Sequence, residues 1–136
     1  MAPSLNAIGM TVADMGKTLA FYGRLGLDIP TPVQTGTETE QHVECTLPGG
    51  TRLMWDSADL VRTLDPQWSP PQGSPRVSLA FECADPAEVD RMYADLVAEG
   101  FDGHREPWDA FWNQRYAMLR DPDGNGVDLY APLPTS

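Results

Sequence analysis

Four aromatic side chains crowd into nine residues: Trp108, Phe111, Trp112 and Tyr116, a third of the chain's twelve aromatics. Rigid, flat, amphipathic rings stack well on planar ligands, and their faces attract cations. Glu106 and Asp109 stand beside them and would add complementary charge. Pro107 to Gln114 has no clean period and reads as a loop leading into a strand. The competing use of these rings is to cover a core edge or form a dimer seam. Trp55, which alternates onto an apolar face with Leu53, and Trp68, in a proline-rich stretch where it is a lid or a loop anchor, are weaker candidates.

Ionisable groups are sparser. Asp128 and Tyr130 share one face of the last strand. They suit hydrogen bonding to a ligand's polar edge better than an acid–base couple. His42 and Glu44 also share a strand face, but a metal site needs three or four donors and no third is identifiable. A solvated face is the reading there, and for His104 with Glu106. Asp121, Asp123, Asn125 and Gly126 fit the start of a calcium loop, yet its twelfth position is Pro132 instead of a bidentate Glu, so this is a turn. The sequence has no G-x-S-x-G elbow, G-x-G-x-x-G loop or P-loop. Lys17, the sole lysine, lies early in an amphipathic helix and is a poor Schiff-base former.

The elements that must position these groups follow from periodicity. Residues 5–12 alternate as a strand, with Ile8, Met10 and Val12 against Ala7, Gly9 and Thr11. Asp14 caps a helix whose apolar face carries Met15, Leu19, Tyr22 and Leu25, and Gly26 ends it. Residues 28–40 read as a short strand plus loop. Gln41–Leu47 and Thr51–Asp56 are strands joined by Pro48-Gly49-Gly50. Residues 65–75 hold four prolines and can only be a linker. Arg76–Glu82 then alternates, with Val77, Leu79 and Phe81 on the apolar face and Ser78, Ala80 and Glu82 on the other. Asp85-Pro86-Ala87-Glu88 opens a second helix striped by Val89, Met92, Tyr93, Leu96 and Val97 and closed by Gly100. Arg115–Arg120 and Val127–Tyr130 are strands around the turn at 121–125.

The order repeats. Asp14 and Asp85 lie 71 residues apart, and at that offset Tyr22 meets Tyr93 and Leu25 meets Leu96. The 136 residues therefore make one domain (1–136) of two modules, 5–62 and 76–131, joined by a linker at 63–75. Neither module is large enough to be stable alone. Five of the six residues on the faces of the two leading strands opposite their apolar stripes are small, which on a concave face leaves room for a ligand cavity.

The net charge of −11 disfavours nucleic acid and anionic membranes as partners. No apolar run is long enough to span a bilayer, and no signal peptide is visible. Cys45 and Cys83 read as buried free thiols, and a cytoplasmic location is expected.

The segments IGMTVADMGKTLAFYGRLGLDIP and RYAMLRDPDGNGVDLYAPL resemble the two ends of a vicinal oxygen chelate protein, in the superfamily of glyoxalase I, extradiol dioxygenases and the fosfomycin and bleomycin resistance proteins. The resemblance implies an α+β fold, two βαβββ modules forming curled mixed sheets around a cavity, and a homodimer. It places the superfamily's metal-ligand positions at Ala7, Met54, Ser78 and Asp128, of which only Asp128 offers a suitable donor. The expected function is metal-independent binding and sequestration of a bulky planar or cationic small molecule, such as an antibiotic or other natural product. Its ligand contacts would be Trp108, Phe111, Trp112, Tyr116, Asp128, Tyr130, Met54, Ser78 and Ala7, with no catalytic residue and no metal or other cofactor. The alternatives are a metal-dependent lyase or dioxygenase with a site built from His42, Glu44, Asp128 or a partner chain, and a metal-free isomerase or cyclase with Asp128 as base.

Overall fold

The computed structural model describes residues 2–29 and 41–135. Their element order is β1 (Ala7–Val12), α1 (Met15–Arg24), β2 (His42–Thr46), β3 (Arg52–Ser57), α2 (Ala58–Leu64), β4 (Ser78–Glu82), α3 (Pro86–Ala98), β5 (Asp102–Ala110), β6 (Gln114–Arg120) and β7 (Gly126–Pro132). The class is α+β, with two open mixed sheets in two βαβββ-like modules. The chain divides into two compact units, Met1–Pro71 and Gln72–Ser136, whose boundary falls in the proline-rich stretch. The strand expected within 28–40 lies, from residue 30 on, outside the described residues. Among the described residues no helix is long and apolar enough to cross a membrane.

The same local chemistry builds both long helices. Asp14 and Asp85 sit in extended backbone and accept the amides of Lys17 (3.0 Å) and Glu88 (2.8 Å), satisfying N–H groups the helix itself leaves free. Glu88 reaches back to the Ala84 amide at 3.0 Å. At the far ends, Gly26 and Gly100 take positive φ, 98° and 94°. Each lets the chain double back so that its own N–H and the next one meet the last helical carbonyls.

In the first unit the sheet order is β1-β3-β2, with β1 parallel and β2 antiparallel to β3. Val12, Val43, Cys45, Leu53 and Trp55 are buried. The buried stripe of α1 is Thr18, Phe21, Tyr22 and Leu25, which corrects the expected face: Met15 and Leu19 are only half-buried. Spacing of three and four residues permits either stripe, and the Tyr22–Trp55 ring contact at 5.2 Å selects this one. The short helix α2 was not expected, because it buries no residue and so leaves no apolar stripe to read. Ser57 caps it, accepting the Leu60 amide, and the Arg62 guanidinium lies 5.2 Å from the Trp68 ring, which anchors the start of the proline stretch.

In the second unit the order is β4-β7-β6-β5, with β4 parallel to β7 and the other pairs antiparallel. Val127, Leu129 and Ala131 of β7, Ala117 and Leu119 of β6, and Val89 and Leu96 of α3 are buried. Each such Leu or Val contributes roughly 1.5–3 kcal/mol by leaving water. Val77 departs from its expected place, preceding β4 and 72% exposed, and Val97 is 42% exposed. The strand β5 extends through Pro107–Ala110, the first part of the stretch 107–114 whose lack of alternation reads as loop.

The turn after β6 is held by one carboxylate. Asp121 is buried; its Oδ1 accepts the amides of Asp123 and Asn125, and its Oδ2 accepts the Asn125 side chain, each at 2.9 Å. The cation-loop pattern is thus a self-satisfied turn. Asp121→Ala is expected to cost about 2–3 kcal/mol, the value of buried hydrogen bonds to a charged group. Urea denaturation measures this, and an unchanged midpoint would refute the role.

Candidate functional site

Pleating decides which side chains meet. Along β7, Val127, Leu129 and Ala131 enter the core, so Asp128 and Tyr130 project from the other face of the sheet. Register then places Ala80 of β4 and Met118 of β6 on either side of Asp128, and Glu82 and Tyr116 on either side of Tyr130. Tyr116 in turn faces Trp108 of β5.

The centre of this face is Asp128, a buried carboxylate only 6% exposed. Its Oδ2 accepts the Tyr116 hydroxyl at 2.6 Å and, at 3.4 Å, the hydroxyl of Ser78. Its Oδ1 is buried and has no partner. Asp128 and Tyr130, two residues apart on one strand, point the same way without bonding each other, whereas Tyr116 on the next strand can reach across. Tyr130 instead stacks on Tyr116, centroids 6.3 Å apart at 24°. Burial first, and then the bonded Asp128 carboxylate, push the Tyr116 phenol well above its ordinary range, so it remains a donor.

Around Tyr116 the rings form a continuous cluster. Trp108 lies 5.5 Å and Trp112 5.2 Å from it, both edge-on, and the two tryptophans are 6.1 Å apart. Trp112 donates its indole N–H to Gln114 Oε1 at 2.8 Å, which fixes the ring. Phe111 joins through Trp112 at 4.9 Å but is 96% exposed. Phe111 and Trp112 belong to the tight β5–β6 turn, closed by Asn113 at φ 67°.

Arg105 is a member of this face that the sequence did not reveal. Its guanidinium sits 3.5 Å from the centre of the Trp108 ring. Asp102, Arg105 and Trp108 pair with Arg120, Met118 and Tyr116, so three-residue steps on β5 oppose two-residue steps on β6. Each step absorbs one extra residue as a bulge, which turns Arg105 and Trp108 onto one face despite their odd spacing. Asp109, expected to lend charge to the rings, is instead bonded to Arg115 at 3.1 Å, which also holds Asp90. His104 meets Arg120 at 3.2 Å.

The structure thus gathers Trp108, Trp112, Tyr116, Asp128, Tyr130 and Ser78 on one sheet of the second unit. Ala7 and Met54 belong to the first unit's sheet, where Ala7 pairs with Arg52, and Met54 with Gly9 and Glu44.

That same sheet carries a polar network. The His42 ring bridges two carboxylates, Nδ1 to Asp56 at 2.5 Å and Nε2 to Glu44 at 2.8 Å, and Arg52 also holds Glu44 at 3.0 Å. Both ring nitrogens can donate only in the imidazolium form. The bonds to Asp56 and then Glu44 accordingly raise the His42 pKa above 6.5, while His42 and Arg52 lower that of Glu44. A raised folded-state pKa stabilises the fold fully below pH 6.5, and this contribution is lost as pH rises through the folded value. An NMR titration of the His42 ring is expected to give a midpoint above 6.5 that Asp56→Asn moves back down. A midpoint at or below 6.5 in the unsubstituted protein would contradict the bridge.

The four positions at which the superfamily's enzymes hold a metal do not make a metal site in this chain. Ala7 offers no donor, Met54 a thioether and Ser78 a hydroxyl, so Asp128 is the only carboxylate among the four positions. Among the described residues no three His, Cys, Asp or Glu side chains are grouped to hold a metal ion. Cys45 and Cys83 are buried free thiols, and burial raises both, Cys83 to about 11, which disfavours the thiolate a metal requires.

Comparison with known proteins agrees with this architecture. The fold is similar to a glyoxalase/bleomycin resistance protein/dioxygenase from Nocardioides, at TM-score 0.74 and 23% identity over 100% of this chain and 87% of that one. It is also similar to a family enzyme of that description from Burkholderia phytofirmans, at TM-score 0.80 and 17% identity over 96% and 100%. A lactoylglutathione lyase from Agrobacterium tumefaciens matches at TM-score 0.65 and 19% identity over 96% and 95%. No curated protein matches the sequence. Residues 4–129 match the family model of the Glyoxalase/Bleomycin resistance protein/Dioxygenase superfamily. With its paired βαβββ-like modules, the chain belongs to that superfamily.

Proposed function

We propose that the protein binds and sequesters a bulky planar or cationic small molecule, an antibiotic or other natural product, without a metal. The observation that carries this reading is the ring cluster of Trp108, Trp112, Tyr116 and Tyr130 beside a buried carboxylate with one free oxygen. Rings offer stacking area with little torsional freedom to lose, and a few fixed polar atoms orient what stacks on them. The poor donor set at the superfamily's metal positions favours binding over metal chemistry. Phe111 extends the apolar rim of the site. Ala7 and Met54 remain proposed contacts on the resemblance alone, as does the homodimer. Sedimentation equilibrium is expected to give twice the 14.9 kDa chain mass, and a monomer would remove that element.

The free oxygen of Asp128 also favours a second reading, a metal-free isomerase or cyclase in which this carboxylate takes a proton from the bound molecule and returns it. Product analysis after incubation with a bound compound separates the two: an unchanged compound supports sequestration. For binding itself, a panel of planar antibiotics is expected to include compounds that quench tryptophan fluorescence at one equivalent per chain and raise Tm. Trp112→Ala should weaken such a compound by about 1 kcal/mol, the scale of one aromatic contact. A panel with no saturable quenching would count decisively against ligand binding at this face.

A further inference from the structure

We infer that the site selects a ligand whose docked edge is a hydrogen-bond donor bearing positive charge, such as a ring-bound amino or amidinium group, and that Asp128 Oδ1 receives it. This rests on the ligand-binding reading above, narrows its planar or cationic class to molecules that are both, and assigns the atom that receives the charge.

Two donors share one oxygen of Asp128. The hydroxyls of Tyr116 and Ser78 both reach Oδ2, and nothing reaches Oδ1. An ionised carboxylate only accepts, so the group that completes it must donate. A buried acceptor left bare is costly, and native structures rarely keep one without a use. Tyr116 holds its proton, because burial and Asp128 both raise its pKa, so it continues to occupy Oδ2 and leaves Oδ1 for an incoming group.

The surroundings match a cation. Arg105 already rests on the Trp108 ring at 3.5 Å, so that ring face is filled and Asp128 is left to receive the ligand's own charge. Glu82 stands on the same face, beside Tyr130. Small residues flank the carboxylate: Ala80 is its partner on β4, and Gly126 precedes it by two on β7. A side chain at position 126 would come within 2.7 Å of Ser78 Cβ, so glycine is what lets Ser78 approach β7 and reach Asp128. Because Oδ1 is closed to water, an entering donor must turn a neighbour aside. Met118, opposite Asp128 on β6, has the unbranched side chain suited to that movement.

Three flat tricyclic probes of similar size separate the possibilities: proflavine, a cation with two amino groups; acridine, neutral and without a donor near pH 7.5; and anthracene-2-sulfonate, an anion. Tryptophan quenching and calorimetry at 0.15 M salt screen the chain's diffuse charge of −11. Proflavine is expected to bind about tenfold or more tightly than acridine, the effect of one charge-assisted hydrogen bond, and the sulfonate more weakly than both. Asp128→Asn should lower proflavine affinity about tenfold and leave acridine within about twofold. Equal binding of all three probes, or an Asp128→Asn variant that keeps the proflavine preference, overturns the inference while leaving the ligand-binding reading intact. Absence of saturable binding by any planar compound overturns both. Should Asp128→Asn not fold, the ranking of the three probes on the unsubstituted protein decides.

Discussion

The second unit depends on how β7 is threaded through its sheet. It runs parallel to β4 and antiparallel to β6, so it is hydrogen-bonded on both edges. With both edges paired, its pleat has one permitted phase. Val127, Leu129 and Ala131 are fully buried, while Asp128 and Tyr130 face the opposite way. A slip of one residue would drive a carboxylate into the core and expose three apolar side chains, a cost far above any gain the alternative offers. The position of Asp128 is thus enforced by the burial of its neighbours.

The rest of the site is built outward from that strand. Tyr116 occupies the β6 position opposite Tyr130, which brings its hydroxyl to Asp128. The tryptophans reach Tyr116 because β5 is bulged and its turn to β6 is tight. As the edge strand β5 is paired on one side only and tolerates Pro107 and extra residues, which a central strand would not. Irregularity at the edge and regularity at the centre together place a ring cluster beside a fixed carboxylate.

The first unit repeats the scheme with different chemistry. Its parallel pair β1–β3 corresponds to β4–β7, and its capped helix ends in the same glycine-dependent turn. Where the second sheet carries rings and Asp128, the first carries the His42, Asp56, Glu44 and Arg52 network. In that network every carboxylate has a basic partner, so its charge is spent locally. Asp128 has hydroxyl partners only, on one oxygen, and this difference is what makes the second face the candidate for recognition.

The sequence alone determined the class, the two-module repeat, both capped helices, the 121–125 turn and most of the strands. Each depends on local chemistry: an Asp cap, a glycine at positive φ, alternation on a strand with one buried face. It also supplied most of the ring cluster, since four aromatics in nine residues are visible without a fold. The partner of Asp128, the membership of Arg105 and the existence of β5 were beyond it. A hydrogen bond between Tyr116 and Asp128 depends on which strands are neighbours, and strand order is a long-range property. The bulges of β5 shift the side-chain phase twice within nine residues, erasing the period that identifies a strand. α2 left no trace because it buries no residue. Periodicity records burial against a core, so elements that bury little become legible only when tertiary structure supplies their neighbours.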